Sequence, residues 1–178
     1  MTKNQQDEEL KRILIVGNGG RENSIAWALS KNQSIEQIYV CPGNGGTTNF
    51  KKCVRLKPQS EDATTIINEC QQLEINLVII GPEVPLAQGL ATKMREEGLT
   101  VFGPGKDGAQ LEASKEWAKA LMIENNIPTA KYWSSGSKEE ALEILKRFNQ
   151  PLVVKADGLA AGKGVTVCET VEQSQESI

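Results

Sequence analysis

Pro151-Leu-Val-Val-Lys-Ala-Asp-Gly-Leu-Ala-Ala-Gly-Lys-Gly-Val-Thr-Val-Cys-Glu169 is the stretch on which the reading of this chain turns. A short apolar run, Leu152 to Val154, ends in Lys155; a loop with Gly158, Gly162 and Gly164 follows; a second β-branched run covers Val165 to Val167. Apolar runs on either side of a glycine-rich break predict strand, loop, strand. Alternation places Val153 and Lys155 on one face and Leu152 and Val154 on the other. A lysine is costly to bury there unless an anion meets it. The glycines let backbone N–H groups approach a phosphate, with Lys163 a second cation in the loop. A P-loop is excluded by spacing. Three residues separate Gly158 from Gly162 where four are needed, Gly164 stands where Ser or Thr would bind magnesium, and a strand rather than a helix follows. An ordinary glycine-rich hairpin with solvated lysines fits the spacing equally well.

Working outward, Arg12-Ile-Leu-Ile-Val-Gly17 is a continuous apolar run, as in a buried parallel strand. Gly17-Asn18-Gly19-Gly20-Arg21-Glu22 leads into a helix carrying Ile25, Ala26, Trp27 and Leu29, so a glycine turn meets a helix N-terminus, a ready anion site. A dinucleotide fingerprint would need glycine at Glu22, and the second strand, Gln37 to Val40, ends in Cys41 and Pro42 without an acid for a ribose. A phosphate or ribose phosphate of a small substrate fits better than a nicotinamide cofactor; a purely structural turn is the other reading. Pro42-Gly43-Asn44-Gly45-Gly46-Thr47-Thr48 also follows a strand, and is either part of the same crevice or a plain turn.

Cys53 to Leu56 is a candidate short strand, and Ser60, with Glu61 and Asp62, can start a helix whose apolar face is Ile66, Cys70 and Leu73. Asn76 to Ile80 is a strong strand ending in Gly81-Pro82-Glu83. Glu83 is either a ligand for hydroxyls or an amine at the sheet's carboxyl end, or a favourable acid in a first helical turn. One helix from Leu86 to Glu97, stopping at Gly98, and a strand from Leu99 to Phe102 complete the pattern of a parallel, doubly wound α/β sheet.

The organisation then changes. Gln110 to Asn125 reads as one longer helix, with Lys115 and Lys119 on one face and Trp117 and Leu121 on another. Asn125, Asn126 and Pro128 end it. Ser137 with Glu140 predicts a capping box for a helix to Phe148 with Ala141, Ile144, Leu145 and Phe148 as its stripe, and Thr170 with Gln173 predicts one more helix start.

The chain has 178 residues with a net charge of −3, which gives no general affinity for nucleic acid. It contains no histidine, and its four cysteines form no C-x-x-C pair, which argues against a zinc site and against histidine acid–base catalysis. Cys53 and Cys70 fall in apolar patterns and read as small core residues. The polar first ten residues read as a frayed tail, no apolar run is long enough for a membrane, and the scattered cysteines fit a cytoplasmic setting.

Together, Gly17–Glu22, Pro42–Thr47, Gly81–Glu83, Phe102-Gly-Pro104, Leu111–Lys115, Ile127–Ala130 and above all Val154–Val165 resemble the phosphoribosylamine–glycine ligase family of ATP-grasp enzymes. The resemblance implies a Rossmann-like N-terminal domain over residues 11–106 that binds 5-phosphoribosylamine. A partial ATP-grasp domain over 107–178, including the glycine-rich lid, would follow. It implies ATP, glycine and 5-phosphoribosylamine as substrates and glycyl phosphate as intermediate, with phosphoryl transfer run by positioning and charge. By the same resemblance Lys115, Lys155, Asp157, Gly158, Gly162, Lys163 and Gly164 would hold ATP. Gly17, Asn18, Gly19, Gly20, Arg21, Glu22, Pro42, Gly43, Asn44, Gly81, Pro82 and Glu83 would line the ribose-phosphate side. No residue of this chain is singled out as a covalent or acid–base catalyst. Two departures stand out. Asn23 replaces a usual histidine and cannot become cationic. The family's Mg²⁺ or Mn²⁺ ligands lie beyond Ile178, so the chain reads as a truncated portion, inactive alone. A non-catalytic phosphoribosyl- or nucleotide-binding module and another ATP-grasp carboxylate–amine ligase are the alternatives.

Overall fold

The computed structural model describes residues 11–58, 62–160 and 163–178. The tail Met1–Leu10, Ser60, Glu61 and Gly162 lie outside the described residues. The chain divides into two compact units, one ending at Ala109 and one starting at Gln110.

The first unit is a parallel sheet of β1 (Arg12–Gly17), β2 (Gln37–Pro42), β3 (Cys53–Arg55), β4 (Leu77–Ile80) and β5 (Val101–Phe102), in the order β3-β2-β1-β4-β5. β1 is central, pairing Ile15 with Val40 on one side and with Ile79 on the other. Its apolar run is continuous because both faces are covered. Leu14 and Val16 join a cluster with Val78, Ile80, Ile66, Cys70 and Met94, while Ile13 and Ile15 pack on the other face with Ala26, Ile38, Val40 and Ile79. Helix α1 (Gly20–Ser30) therefore covers one face, and α2 (Ala63–Gln72) and α4 (Leu90–Glu96) cover the other. The chain winds outward through β2 and β3, then returns past β1 to β4 and β5. The direction reverses between β1 and β4, where open α/β sheets form a crevice at their carboxyl ends.

Three expectations need correction here. The single helix from Leu86 to Glu97 is two, α3 (Glu83–Ala87) and α4, because Gly89 sits at φ +89° and breaks the turn. Helix α2 is capped by Asp62, whose side chain accepts from Thr65 N–H at 3.0 Å, rather than from Ser60. The glycine turn after β1 is shorter than its motif, since Gly20, Arg21 and Glu22 already form the first turn of α1.

Helix α5 (Lys106–Ala113) spans the division between the units. The expected helix from Gln110 to Asn125 is broken at Ser114, which is extended (φ −132°, ψ 116°) and caps α6 (Lys115–Glu124) by accepting from Trp117 N–H. The second unit continues with α7 (Lys138–Phe148), β6 (Val153–Lys155), β7 (Val165–Val167) and α8 (Val171–Ser177). β6 and β7 form the antiparallel hairpin, pairing Val153 with Val167 and Lys155 with Val165. Ser137 caps α7 through Glu140 N–H, but Glu140 reaches back to Gly136 N–H (2.9 Å), one residue beyond the reciprocal partner of a capping box. Thr170 caps α8 as its spacing with Gln173 predicts. Ser174 on α8 is buried and accepts from Leu152 N–H (3.1 Å), which ties the helix to the start of the hairpin.

Candidate functional site

The loops after β1, β2 and β4 leave the sheet together. Gly81 N–H donates to the Val16 carbonyl and Gly43 N–H to the Gly17 carbonyl, each at 3.1 Å. The Asn44 side chain closes the cluster, its Nδ2 donating to the carbonyls of Asn18 (3.0 Å) and Gly19 (3.4 Å) while its Oδ1 accepts from Gly46 N–H (2.8 Å). This is the Asx-turn use of asparagine, with one end of the amide left to bridge a second loop. Arg55 grips the same loop from β3 through the carbonyls of Pro42 (3.0 Å) and Gly43 (3.3 Å). Thr47, fully buried, accepts from Asn44 N–H at 3.0 Å. Arg55 and Thr47 escape a sequence reading focused on glycines, although the Asn44-x-x-Thr47 spacing carries a turn signal. Asn23, at the family's histidine position, has its side-chain Oδ1 buried with no hydrogen-bond partner among the described residues, beside Gly46.

The amides after β1 do not wait open for a phosphate. Glu22 is 3% exposed, and its carboxylate already occupies the start of α1, accepting from Gly19 N–H at 2.8 Å and from Arg21 Nε at 2.8 Å. A side chain at Gly17, Gly19 or Gly81 would meet that carboxylate or its stem at 2.6, 2.9 and 2.0 Å. The packing of Glu22 thus requires all three glycines. Arg21 Nη1 donates to Glu83 at 3.1 Å, so the first turns of α1 and α3 are joined by a guanidinium between two carboxylates. Bonding to Glu22, then to Glu83, raises the Arg21 pKa. The carboxyl of Glu83 is lowered by its own backbone N–H and then by Arg21, so it is anionic at neutral pH. Unlike Glu22, both side chains are about half exposed. They face solvent with Arg21 Nη2 carrying no hydrogen bond among the described residues, a donor beside an acceptor that suits sugar hydroxyls, an amine or an ester oxygen.

In the second unit the predicted lysines are separated by role. Lys155 and Lys163 are exposed, so the burial argument for an anion at Lys155 does not apply. Lys115 is half-buried and donates its Nζ to the carbonyl of Gly158 (2.8 Å). Asp157 accepts from Lys115 N–H (2.6 Å), Glu116 N–H (3.3 Å) and Ser114 Oγ (3.0 Å), filling the N-terminus of α6 from across the loop. Gly158 turns at φ +94°, and a side chain at Gly164 would meet Ala160 at 2.7 Å, so both glycines shape the loop itself. Partial burial opposes ionisation of Asp157, but the bonds from Glu116, Ser114 and Lys115 outweigh it and hold the carboxyl below the usual aspartate range. A depressed folded pKa gives stability that is present above the ordinary aspartate pKa and lost as pH falls through the folded value. Asp157→Ala should cost about 1 kcal/mol at neutral pH. The difference from wild type should vanish in acid melts below the aspartate range; a pH-independent difference would show that packing, not the carboxylate, is at work.

Among the described residues no group of three or more Asp, Glu, Cys or His side chains could hold a metal ion. All four cysteines are buried and outside any disulfide, and burial, with Cys41 and Glu69 nearby, pushes the Cys70 thiol up to about 12. No helix among the described residues is long and apolar enough to cross a membrane.

A parallel α/β unit with a loop crevice at its switch point, followed by a helical unit with a glycine-rich hairpin, is the start of an ATP-grasp architecture. The biotin carboxylase domain of the 2-oxoglutarate carboxylase of Hydrogenobacter thermophilus shares this fold at 19% identity, with a TM-score of 0.73 over 95% of this chain and 40% of that one. The family model for the phosphoribosylglycinamide synthetase N domain matches residues 11–112, and that for the ATP-grasp (A) domain of the same synthetase matches residues 113–178. The chain belongs to the phosphoribosylglycinamide synthetase family. It is 46% identical to the phosphoribosylamine–glycine ligase of Clostridium acetobutylicum over 94% of this chain and 40% of that protein. The corresponding figures for the ligase of a Nostoc species are 48%, 94% and 39%. The crystal structure of the Thermotoga maritima phosphoribosylamine–glycine ligase superposes with a TM-score of 0.69 at 32% identity, over 93% of this chain and 38% of that one. The chain thus spans about 40% of the length of the curated relatives it matches.

Proposed function

We propose that these residues form the 5-phosphoribosylamine-binding part and the glycine-rich loop of an enzyme that joins glycine to 5-phosphoribosylamine at the expense of ATP. The observation that carries this reading is the consecutive match of both domain models of one synthetase along residues 11–178. The phosphoribosylamine lies against the loops Gly17–Glu22, Pro42–Asn44 and Gly81–Glu83. Glu83, anionic at neutral pH, accepts from the sugar hydroxyls or the amine, and Arg21 donates beside it. The triphosphate of ATP lies along the hairpin, where Lys115, Lys155 and Lys163 supply positive charge and the loop from Gly158 to Gly164 covers it. Asp157 serves by fixing the root of that loop at Lys115.

Glycine carboxylate attacks the γ-phosphorus and ADP leaves; the amine of phosphoribosylamine then attacks the acyl carbon of glycyl phosphate, expelling phosphate and a proton. Both steps build charge on oxygens that cations and backbone donors stabilise, which suits a chain without histidine. A cytoplasmic setting accords with four cysteines that form no disulfide. Ribose 5-phosphate at a hundred times its Kd should stabilise the protein by about 2.7 kcal/mol, seen as a raised Tm, whereas NAD should not. Glycine-dependent ADP release by these 178 residues alone should stay at background. A melting shift with NAD and none with ribose 5-phosphate or ATP would overturn the assignment.

A further inference from the structure

We propose that Glu22 is a positioning residue and not a substrate contact: its buried carboxylate fills the amide cradle at the start of α1 and fixes the guanidinium of Arg21, which is the group that meets a phosphorylated pentose. The inference rests on the reading of the three-loop crevice as the phosphoribosylamine side, and it reassigns the work within that site. Glu22 is 3% exposed, so a ligand in the crevice does not reach it. Its two oxygens are committed, one to Gly19 N–H and one to Arg21 Nε, both at 2.8 Å. The space around it is closed by design of the backbone, with Cβ positions at Gly17, Gly19 and Gly81 falling within 2.0–2.9 Å of its side chain. A bound phosphate is bulkier than a carboxylate and carries more charge, and it cannot share this cradle with Glu22. An anion in the crevice must therefore be met by a group the cradle presents outward. Arg21 is that group: it is half exposed, held at Nε by Glu22 and at Nη1 by Glu83, with Nη2 bonded to nothing among the described residues. Two carboxylates set the plane of one guanidinium, and a planar, pre-aimed guanidinium loses little freedom on taking a ligand. The glycines of the motif thus serve the ligand at one remove, by making room for the acid that aims the arginine.

Glu22→Gln, nearly isosteric, separates this from a contact role, because an amide keeps one acceptor oxygen where Gly19 N–H and Arg21 Nε–H each require one, so the pair that holds the guanidinium against the cradle cannot both be kept. In the 178-residue chain, the Arg21 Nε–H resonance should move or broaden in Glu22→Gln. Titration with ribose 5-phosphate should show Arg21→Ala and Glu22→Gln each weakening binding about tenfold or more, and the double variant no weaker than Arg21→Ala alone. Additive losses would mean that Glu22 meets the ligand itself, and an unmoved Arg21 signal with wild-type affinity would mean that it aims nothing; either overturns the proposal. If wild type does not bind ribose 5-phosphate at all, the functional reading of the crevice fails. The packing claim is then judged by melting: Gly81→Ala should lower the Tm of wild type and leave that of a Glu22→Ala background unchanged. Equal losses in the two backgrounds would refute it, and this pair also decides the matter if Glu22→Gln does not fold.

Discussion

Gly17→Ala should destabilise the parallel-sheet unit by about 3–5 kcal/mol, the sum of a strained backbone and a displaced, hydrogen-bonded charge. Gly17 ends β1 at φ +133°, a conformation that residues with a Cβ rarely adopt. The added methyl would also sit 2.6 Å from Cγ and 2.7 Å from Cδ of Glu22. Cγ is not the free end of a flexible chain here, since the carboxylate beyond it is held by Gly19 N–H and Arg21 in a nearly water-free place. Relief therefore requires either that Glu22 leave its bonds or that the end of β1 shift against β2 and β4. Gly20→Ala is the control. Gly20 is the first residue of α1, and a Cβ there meets nothing within 4 Å. It should be neutral or stabilising by up to about 1 kcal/mol. Urea unfolding followed by circular dichroism distinguishes the two, and equal midpoints for the variants would show that the Glu22 cradle adapts freely.

That contrast marks what was legible in the sequence. The runs at Arg12–Gly17, Gln37–Val40 and Asn76–Ile80 announce themselves because strands covered on both faces are apolar almost throughout, and β1, β2 and β4 are such strands. The three loops of the crevice lie at the carboxyl edge where the sequence places them, because each begins where such a run stops. Their internal chemistry was not legible. Gly17-Asn-Gly-Gly reads as a phosphate turn, yet the same glycine spacing is what a carboxylate needs to fold back from the helix that follows. Gly19-x-x-Glu22 has the spacing of a helix start with a reciprocal acid, and that signal was available. What no local pattern reveals is the third glycine, Gly81, which closes over the same carboxylate from β4. Helix breaks at Gly89 and Ser114 were missed for a related reason: hydrophobic periodicity runs through them, and only a backbone angle or a side-chain cap separates the pieces. Asp157 reaches the N-terminus of α6, 41–43 residues earlier in the chain, by a route that only the fold provides.

Leu145→Ala should unfold the second unit while leaving the sheet intact. Of the predicted stripe on α7, Ala141, Ile144 and Phe148 are only partly covered, and Leu145 alone is fully buried, at 1% exposure. The other buried side chains of this unit among the described residues are small: Ala118, Cys168 and Ser174. The hairpin adds little, since Val153, Val165 and Val167 are 50%, 44% and 73% exposed, and Trp117 and Ile123 on α6 are exposed as well. Truncating a fully buried leucine costs about 2–5 kcal/mol, and a core this small supplies no more than about 3–5 kcal/mol in total. One substitution therefore removes most of what holds α6, α7, α8 and the hairpin. The sheet has its own two clusters, and among the described residues both draw their members from the first unit. Amide hydrogen exchange reads the outcome region by region. Protection in α7 and α8 should fall to that of an open chain, while the amides of β1, β2 and β4 keep their wild-type rates; Ile144→Ala should cost about 1 kcal/mol and retain protection in both. If the sheet amides lose protection in step with α7, the chain folds as one cooperative body and Leu145 supports both units.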